Sequence, residues 1–163
     1  MTVERGKVVP NWDNEYKLFQ YVSQPITDAE IQKWRELGYQ HNSFTGKMYS
    51  SKNPMPEWVH QVANEIGLSN PGFTFYKMST GDIMPIHVDH FQKYCKIFGV
   101  DRSCVKRAII FLKDWKSGHC FEIGGELIAN YSAGEYVIWS CDEPHSAANI
   151  GTEDRYTLQI TGI

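Results

Sequence analysis

Hydrophobic and polar positions follow a helical spacing in two segments of the first half of this 163-residue chain. Residues 27–37 (TDAEIQKWREL) open with the Thr-x-x-Glu pattern of a capping box, place apolar side chains on one face and stop at Gly38. They predict a helix. Residues 56–68 (PEWVHQVANEIGL) begin with a proline suited to a first helical turn and repeat apolar residues at helical spacing, which predicts a second, amphipathic helix.

From Gly72 onward the pattern takes the short, β-rich form that is typical of strands. The predicted strands are the eight runs 73–79, 83–91, 107–115, 119–123, 126–131, 135–140, 145–150 and 155–162. The pair Gly124-Gly125 predicts a tight hairpin turn between two of them. Because no helical pattern separates these runs, their order favours an antiparallel sandwich or barrel over a parallel sheet.

Two further regions fit neither spacing. Residues 92–106 predict either a mobile flap or an inserted turn of helix. The N-terminal region is rich in aromatic residues, and it is interpreted either as strands that extend the sheet or as part of a substrate cleft. We expect a single domain over 1–163, in which 1–71 form a helical support and 72–163 form the barrel core.

Composition and charge narrow the classes of partner. A net charge of -3 and a pI near 6.1 are unfavourable for binding nucleic acid or an anionic membrane, which usually requires a basic face. The sequence shows no signal-peptide pattern and no apolar run long enough to span a membrane, so a cytoplasmic protein is expected, either monomeric or homodimeric. Its four cysteines lack CxxC spacing, which favours reduced thiols over disulfides or a zinc site.

The stretch MPIHVDHF, residues 84–91, contains the first candidate metal ligands. On a strand, His87 and Asp89 would project from the same face, because side chains at i and i+2 do so. A His-x-Asp pair alone also arises by chance. His145 supplies a third ligand, and two imidazoles with one carboxylate form the set that non-haem Fe(II) oxygenases use.

An arginine follows the distal histidine by ten residues. If the last two strands formed a hairpin turning near Gly151, Arg155 would lie opposite Ala147, on the same face as His145 and about 7 Å along from it. That separation suits a dicarboxylic acid held between a metal and a guanidinium, which pairs bidentately with carboxylates. Strand alternation also turns Thr157 inward with Arg155, so Thr157 is a candidate to hydrogen-bond the carboxylate or line the pocket.

These features resemble the Fe(II)- and 2-oxoglutarate-dependent oxygenases of the double-stranded β-helix fold. The resemblance rests on the His-Val-Asp run at 87–89, on His145, on Arg155 and on the GEYVIW run at 134–139, and it covers the chain from Gly72 to its end. It implies a mainly β, jelly-roll or cupin-like barrel with supporting N-terminal helices. It also implies Fe(II) as the metal, with 2-oxoglutarate and dioxygen as co-substrates.

Individual branches of that family suggest further site residues. Tyr76 matches a tyrosine that contacts the co-substrate in the prolyl 4-hydroxylase-like branch, although it could also be a core aromatic. Arg107 matches an arginine of the amino-acid and aspartyl/asparaginyl hydroxylase branches and is a candidate substrate contact, with a surface ion pair as the alternative. The nucleic-acid repair branch has a second arginine where this chain has Thr161, which disfavours DNA demethylation.

Two inward positions near the distal histidine complete the candidate substrate residues. Trp139 alternates with Val137 and could be a substrate platform or a core residue. Asn149 is expected to face inward with His145, where it could orient a ligand or be bonded to the backbone.

The reaction implied by the resemblance is hydroxylation of an amino acid, a peptidyl side chain such as proline, or another small molecule, with release of succinate and CO2. Two alternatives stay open. One is a cupin-like metalloenzyme that does not use 2-oxoglutarate, and the other is a non-catalytic β-barrel binding module. The substrate itself is not predicted, because neither 92–106 nor the N-terminal region carries a recognisable motif.

Overall fold

The computed structural model describes residues 3–41 and 43–163. Its helices are α1 (Asp28–Glu36), α2 (Trp58–Glu65) and α3 (Gln92–Phe98), with short 3-10 turns at Glu15–Leu18 and Arg102–Cys104. Its strands are β1 (Glu4–Lys7), β2 (Val22–Ser23), β3 (Lys47–Ser50), β4 (Gly72–Met78), β5 (Ile83–His87), β6 (Lys106–Phe111), β7 (His119–Ile123), β8 (Glu126–Ile128), β9 (Glu135–Ser140), β10 (His145–Asn149) and β11 (Arg155–Gly162).

The strands form two antiparallel sheets. The larger has the order β1-β9-β6-β11-β4-β3-β2, and the smaller has the order β5-β10-β7-β8. Each of the eight runs predicted from residue 72 onward contains one strand, so the predicted antiparallel, mainly β architecture is confirmed. The predicted hairpin turn is also present, with Gly124 and Gly125 both at positive φ between β7 and β8.

Both faces of the larger sheet are buried. On β6, Ile109 and Phe111 face the smaller sheet and pack with Phe121 and Trp139, whereas Ala108 and Ile110 belong to a separate core on the outer face. That outer core is covered by α2 and by the N-terminal aromatic residues. A strand buried on both faces has no reason to alternate, which explains the almost continuous apolar run of residues 108–112.

Both predicted helices are present and shorter than predicted. Helix α1 begins after Thr27, whose side chain accepts the Glu30 amide while the Glu30 carboxylate accepts the Thr27 amide, so the capping box is complete. Within residues 92–106, the structure forms α3 and a 3-10 turn. Of the two interpretations of that segment, inserted helix is therefore the one observed.

The first 71 residues form more than a helical support. They add β1 to one edge of the larger sheet and β2 and β3 to the other. The aromatic residues Trp12, Tyr16, Phe19 and Tyr21 belong to the core on the outer face of that sheet, where Phe19 stacks on Tyr49 and Trp12 stacks on Trp58. They therefore build a core layer rather than a substrate cleft. The three strands are too short to show the alternation that identifies a strand in sequence.

All four cysteines are free thiols, with no disulfide among the residues that the structure describes. No helix in the described ranges 3–41 and 43–163 combines the length and apolar character needed to cross a membrane.

We predict that Leu158→Ala lowers the free energy of unfolding by about 2–5 kcal/mol. Leu158 is fully buried at the centre of the larger sheet, where β11 pairs with both β4 and β6, so the truncated side chain leaves a cavity that neighbouring strands cannot close. Urea denaturation measures the change. Leu127→Ala is the matched control, because Leu127 is 60% exposed; equal losses for the two variants would contradict the placement of Leu158 in the core.

Candidate metal centre and its cavity

Three potential metal ligands meet at one end of the smaller sheet. His87 is the last residue of β5 and His145 is the first of β10, and the two are direct cross-strand partners with ring centroids 4.3 Å apart. Asp89 lies beyond the end of β5, so the expectation that it sits on the strand with His87 is wrong. Each of the three residues still offers a ligand atom within 4.8 Å of the others.

Backbone carbonyl groups orient both imidazole rings. The Nδ1 atom of His87 lies 2.8 Å from the carbonyl oxygen of Pro85, and the Nδ1 atom of His145 lies 2.9 Å from that of Glu143. A carbonyl oxygen can only accept a hydrogen bond, so each ring carries its hydrogen on Nδ1 and exposes the lone pair of Nε2 when neutral. Metal-binding histidines are commonly held in this way.

The charges of the three ligands also suit a cation. Burial, together with the neighbouring His87 ring, lowers the pKa of His145 to about 4, so this imidazole is neutral at pH 7. Burial alone would raise the pKa of the Asp89 carboxyl, but the Arg107 guanidinium and the nearby histidines hold it below its ordinary value. A neutral His145 imidazole therefore accompanies an ionised Asp89 carboxylate.

Arg102 joins the two segments that carry these ligands. Its Nη2 atom donates to the carbonyl oxygen of Asp89 at 3.0 Å and to Oδ1 of Asp142 at 2.6 Å, and Asp142 precedes His145 by three residues. This contact ties the loop after β5 to the loop before β10. Sequence patterns gave no signal for Arg102, because its role depends on a contact 40 residues away along the chain.

A second arginine stands beside the candidate metal ligands. The Nε atom of Arg107 lies 3.9 Å from Oδ2 of Asp89, its Nη1 atom donates to Oε1 of Gln159 at 2.7 Å, and its guanidinium lies over the ring of Phe91. Its side chain is 20% exposed. Arg107 thus lines the cavity and is not a solvated surface residue.

Arg155 reaches the same cavity from the opposite sheet. The expected hairpin between the last two strands is wrong, because β10 belongs to the smaller sheet and β11 to the larger one. Arg155 nevertheless lines the cavity together with His87, Asp89 and His145, since the inner faces of the two sheets look at each other. The separation expected between His145 and Arg155 along one sheet face therefore does not describe the site. The candidate metal ligands and the Arg155 guanidinium lie on different walls of the cavity.

The Arg155 guanidinium is a buried charge with few partners. Its residue is 3% exposed, and within residues 3–41 and 43–163 it forms no salt bridge and its Nε and Nη2 atoms have no hydrogen-bond partner. The rings of Phe111 and Phe121 each lie 5.8 Å from its central carbon, and its Nη1 atom contacts the sulfur of Met78. Aromatic faces stabilise a cation only in part, so this site favours an anionic ligand.

Tyr76 and Thr157 extend the wall that carries Arg155. They are cross-strand partners on β4 and β11, and both line the cavity. The Thr157 hydroxyl is buried and finds no hydrogen-bond partner in the described part of the chain. The Tyr76 hydroxyl accepts the Gly46 amide at 2.8 Å, and burial raises the pKa of this phenol to about 12. At neutral pH it is therefore a protonated phenol.

Trp139 and Asn149, the last two candidate substrate residues, have different surroundings. Trp139 is buried, lines the cavity and packs 4.9 Å from the His145 ring, so it shapes the pocket as a core residue does. Asn149 uses its amide on backbone groups: Nδ2 donates to the carbonyl oxygens of Met78 and Glu153, and Oδ1 accepts the Gly151 amide. Asn149 thus matches the backbone-bonded interpretation and is absent from the cavity lining.

The donor set fits a divalent metal. Two Nε2 atoms and one carboxylate on one side of a small cavity leave other coordination positions free for small molecules. The Oδ2 atom of Asp89 is buried and has no hydrogen-bond partner among the described residues, as expected for an atom that a cation would satisfy.

The chain is similar to several solved structures. A prolyl-4-hydroxylase from Pseudomonas putida is similar over 82% of each chain, with a TM-score of 0.54 and 20% sequence identity. KdgF from Halomonas sp. matches with a TM-score of 0.45 and 11% identity over 78% of this chain and 87% of its own. A predicted oxalate decarboxylase from Thermotoga maritima matches with a TM-score of 0.44 and 16% sequence identity over 72% of this chain and 79% of its own. No family model and no curated protein sequence matches this chain.

The chain therefore has the double-stranded β-helix fold, also called jelly-roll or cupin-like, and the predicted fold class is confirmed. It carries in that fold a His-Asp-His group that could bind a metal. At 20% identity, the similarity to the prolyl-4-hydroxylase establishes the fold and leaves the activity to be inferred from the site.

We predict that Tyr76 remains a neutral phenol until the pH reaches about 12. An ordinary tyrosine ionises near pH 10, so the folded state resists this ionisation and loses stability as the pH rises from 10 towards 12. The difference in phenolate absorbance between the native chain and Tyr76→Phe measures the titration. A midpoint near pH 10 in the folded protein would contradict the buried position.

We predict that Asp89→Asn weakens Mn(II) or anaerobic Fe(II) binding by more than about 100-fold, because it removes a direct ligand, whereas Arg102→Gln weakens it by about tenfold. Isothermal titration calorimetry measures both. Arg5→Gln is the control, since Arg5 pairs with Glu126 on the surface and does not line the cavity. Unchanged metal affinity in Asp89→Asn would show that this carboxylate is not a metal ligand.

Proposed function

We propose that this chain is an Fe(II)- and 2-oxoglutarate-dependent oxygenase that hydroxylates an amino acid, a peptidyl side chain or another small molecule. The observation that carries the proposal is the shared cavity of the His87-Asp89-His145 group and the buried Arg155. A metal centre alone fits many reactions. A metal centre that faces a buried guanidinium without a carboxylate partner fits a reaction whose co-substrate is a chelating dicarboxylic acid.

Arg155 separates this function from that of a cupin-like metalloenzyme that does not use 2-oxoglutarate. An uncompensated buried charge destabilises a protein, so its presence calls for a ligand that neutralises it. The Nε and Nη2 atoms of Arg155 form one edge of the guanidinium, and both are without hydrogen-bond partners in the described ranges. A carboxylate can accept both in the bidentate arrangement that arginine favours.

The other polar residues of that wall would complete the carboxylate site. The Thr157 hydroxyl and the protonated Tyr76 phenol are on the same cavity lining as Arg155 and can each donate one hydrogen bond. Three donors from two neighbouring strands would fix the remote carboxylate of 2-oxoglutarate. His87, Asp89 and His145 would hold Fe(II) on the opposite wall.

Bound Fe(II), 2-oxoglutarate and dioxygen supply the oxidising chemistry, in which one oxygen atom enters the substrate as hydroxyl and the other enters succinate as CO2 is released. The contribution of the chain is to orient the metal ligands and to exclude water. The apolar side chains of Met84, Ile109, Phe121 and Trp139 line the cavity between the two polar walls. They limit the water that reaches the centre.

Anaerobic addition of Fe(II) and 2-oxoglutarate to the full chain is the first test. A weak visible absorption band from the metal-bound keto acid is expected, followed by succinate formation when air is admitted. A protein that binds Fe(II) but gives neither band nor succinate would be a cupin-like metalloprotein of another kind, and failure to bind Fe(II) would leave a non-catalytic barrel.

Arg155 variants test the observation on which the proposal depends. We expect Arg155→Gln to raise the KM for 2-oxoglutarate about 100-fold, because it removes the buried cation of that wall. Arg155→Lys keeps the charge but loses the planar fork, so an increase of about tenfold is expected. Steady-state succinate formation measures both.

Mn(II) affinity is the control for these variants, since Arg155 does not contact the metal ligands and the metal site should be retained. An unchanged KM in Arg155→Gln, with Mn(II) affinity intact, would overturn the assignment of 2-oxoglutarate as co-substrate.

A further inference from the structure

A second concavity adjoins the candidate metal cavity. It has a volume of about 610 Å3 and lies between α3 and the inner face of the larger sheet. Its floor comes from β3, β4 and β11 and includes the hydroxyls of Ser50, Thr74 and Thr161. Its wall comes from α3 and includes Tyr94, Ile97 and Phe98. We call this feature the α3 groove.

Arg107 lines both the α3 groove and the metal cavity, so the two cavities are neighbours. The same guanidinium lies over Phe91, another groove residue, and 3.9 Å from the Asp89 carboxylate. Thr161 is on the same face of β11 as Arg155, Thr157 and Gln159, so the groove floor continues the cavity wall outward. A molecule in the groove would therefore contact Arg107, which lies beside the carboxylate of a candidate metal ligand.

The groove is positively charged although the whole chain has a net charge of -3. Its lining contains Lys52, Lys93 and Arg107 and, among the residues that the structure describes, no aspartate or glutamate. Arg107 is already engaged by Asp89 and Gln159. Lys52 and Lys93 form no salt bridge within the described ranges, so they are the cations available to a ligand.

The wall of the groove is apolar and open. Ile97 is 63% exposed and Phe98 is 41% exposed, which leaves large hydrophobic side chains in contact with solvent beside two lysines. The volume falls within the range of about 300–1,000 Å3 that is usual for small-molecule sites. Apolar surface with a few placed polar groups is also the usual composition of such sites.

We propose that the α3 groove binds the substrate, and that the substrate is a small organic anion with an apolar body. The body lies along Tyr94, Ile97 and Phe98, and the carboxylate or phosphate pairs with Lys52 and Lys93. The carbon to be hydroxylated then lies in the part of the groove that Arg107 lines. This assignment of substrate class rests on the proposed oxygenase function, but binding in the groove does not require the metal.

The test uses two probes that differ in a single group, 6-phenylhexanoate and 6-phenylhexan-1-ol. Their binding to the full chain is measured by isothermal titration calorimetry in the presence of EDTA, which prevents the carboxylate from binding through a metal. The acid is expected to bind about fivefold more tightly than the alcohol, as two partly exposed ion pairs imply. The preference should decrease as salt is raised.

Matched variants locate the binding site. Lys52→Gln with Lys93→Gln should abolish the preference for the acid and leave the affinity for the alcohol unchanged. Lys7→Gln with Lys33→Gln removes the same charge from exposed positions outside the groove and should change neither affinity. Ile97→Ser should weaken the binding of both probes by a similar factor, because the apolar body that they share loses a contact and the carboxylate does not.

Each other result would overturn the proposal. Equal binding of the acid and the alcohol would show that the groove does not recognise an anion. A preference for the acid that survives in the Lys52/Lys93 variant would place the anion elsewhere, for example at Arg155. Binding of neither probe at millimolar concentration, or binding only of an extended peptide, would exclude a small-molecule groove. Because these measurements are made without metal or 2-oxoglutarate, the groove proposal and the oxygenase proposal can fail independently.

Discussion

The pairing of β5 with β10 is the constraint on which the candidate site depends. It sets His87 directly opposite His145 at the end of the smaller sheet. A shift of one residue in this register would turn one imidazole to the other face, because strand side chains alternate. Hydrogen bonds from the Nδ1 atoms to the Pro85 and Glu143 carbonyl oxygens then orient both rings. The strand pairing and the ring orientation together determine where the Nε2 atoms lie.

The loops beyond that ladder hold the rest of the centre. Asp89 lies after the strand has ended, where no ladder hydrogen bonds determine its position. Arg102 connects the backbone carbonyl group of Asp89 to Asp142, and Arg107 lies beside the Asp89 carboxylate. These two arginines compensate for the missing ladder, one by tying the backbone and the other by stabilising the charge. A carboxylate in a loop can thus be as well positioned as an imidazole on a strand.

The opposite sheet supplies the complementary charge. Arg155 is buried among aromatic rings in a sheet that owes its rigidity to two cores, one on each face. The N-terminal strands and aromatic residues cover the outer face, so their contribution to the site is indirect: they support β4 and β11, which carry Tyr76, Thr157 and Arg155. The proposed function uses this separation, with the metal on one wall and the carboxylate site on the other.

Local patterns in the sequence were sufficient for the eight core strands and for the capping box of Thr27 and Glu30. They and the family resemblance also named His87, Asp89, His145 and Arg155 as candidate partners, but with Asp89 on a strand and Arg155 in a hairpin, and neither placement is observed. They left open whether the N-terminal region forms strands and gave no bounds for β1, β2 and β3, which are too short for a period to emerge. They gave no signal for Arg102, whose partners are distant in the chain. Only the tertiary structure decided that Arg155 faces the ligands from the other sheet and that α3 encloses a groove. Periodicity records which face of a segment is buried, whereas the pairing of faces follows from packing between segments far apart in sequence.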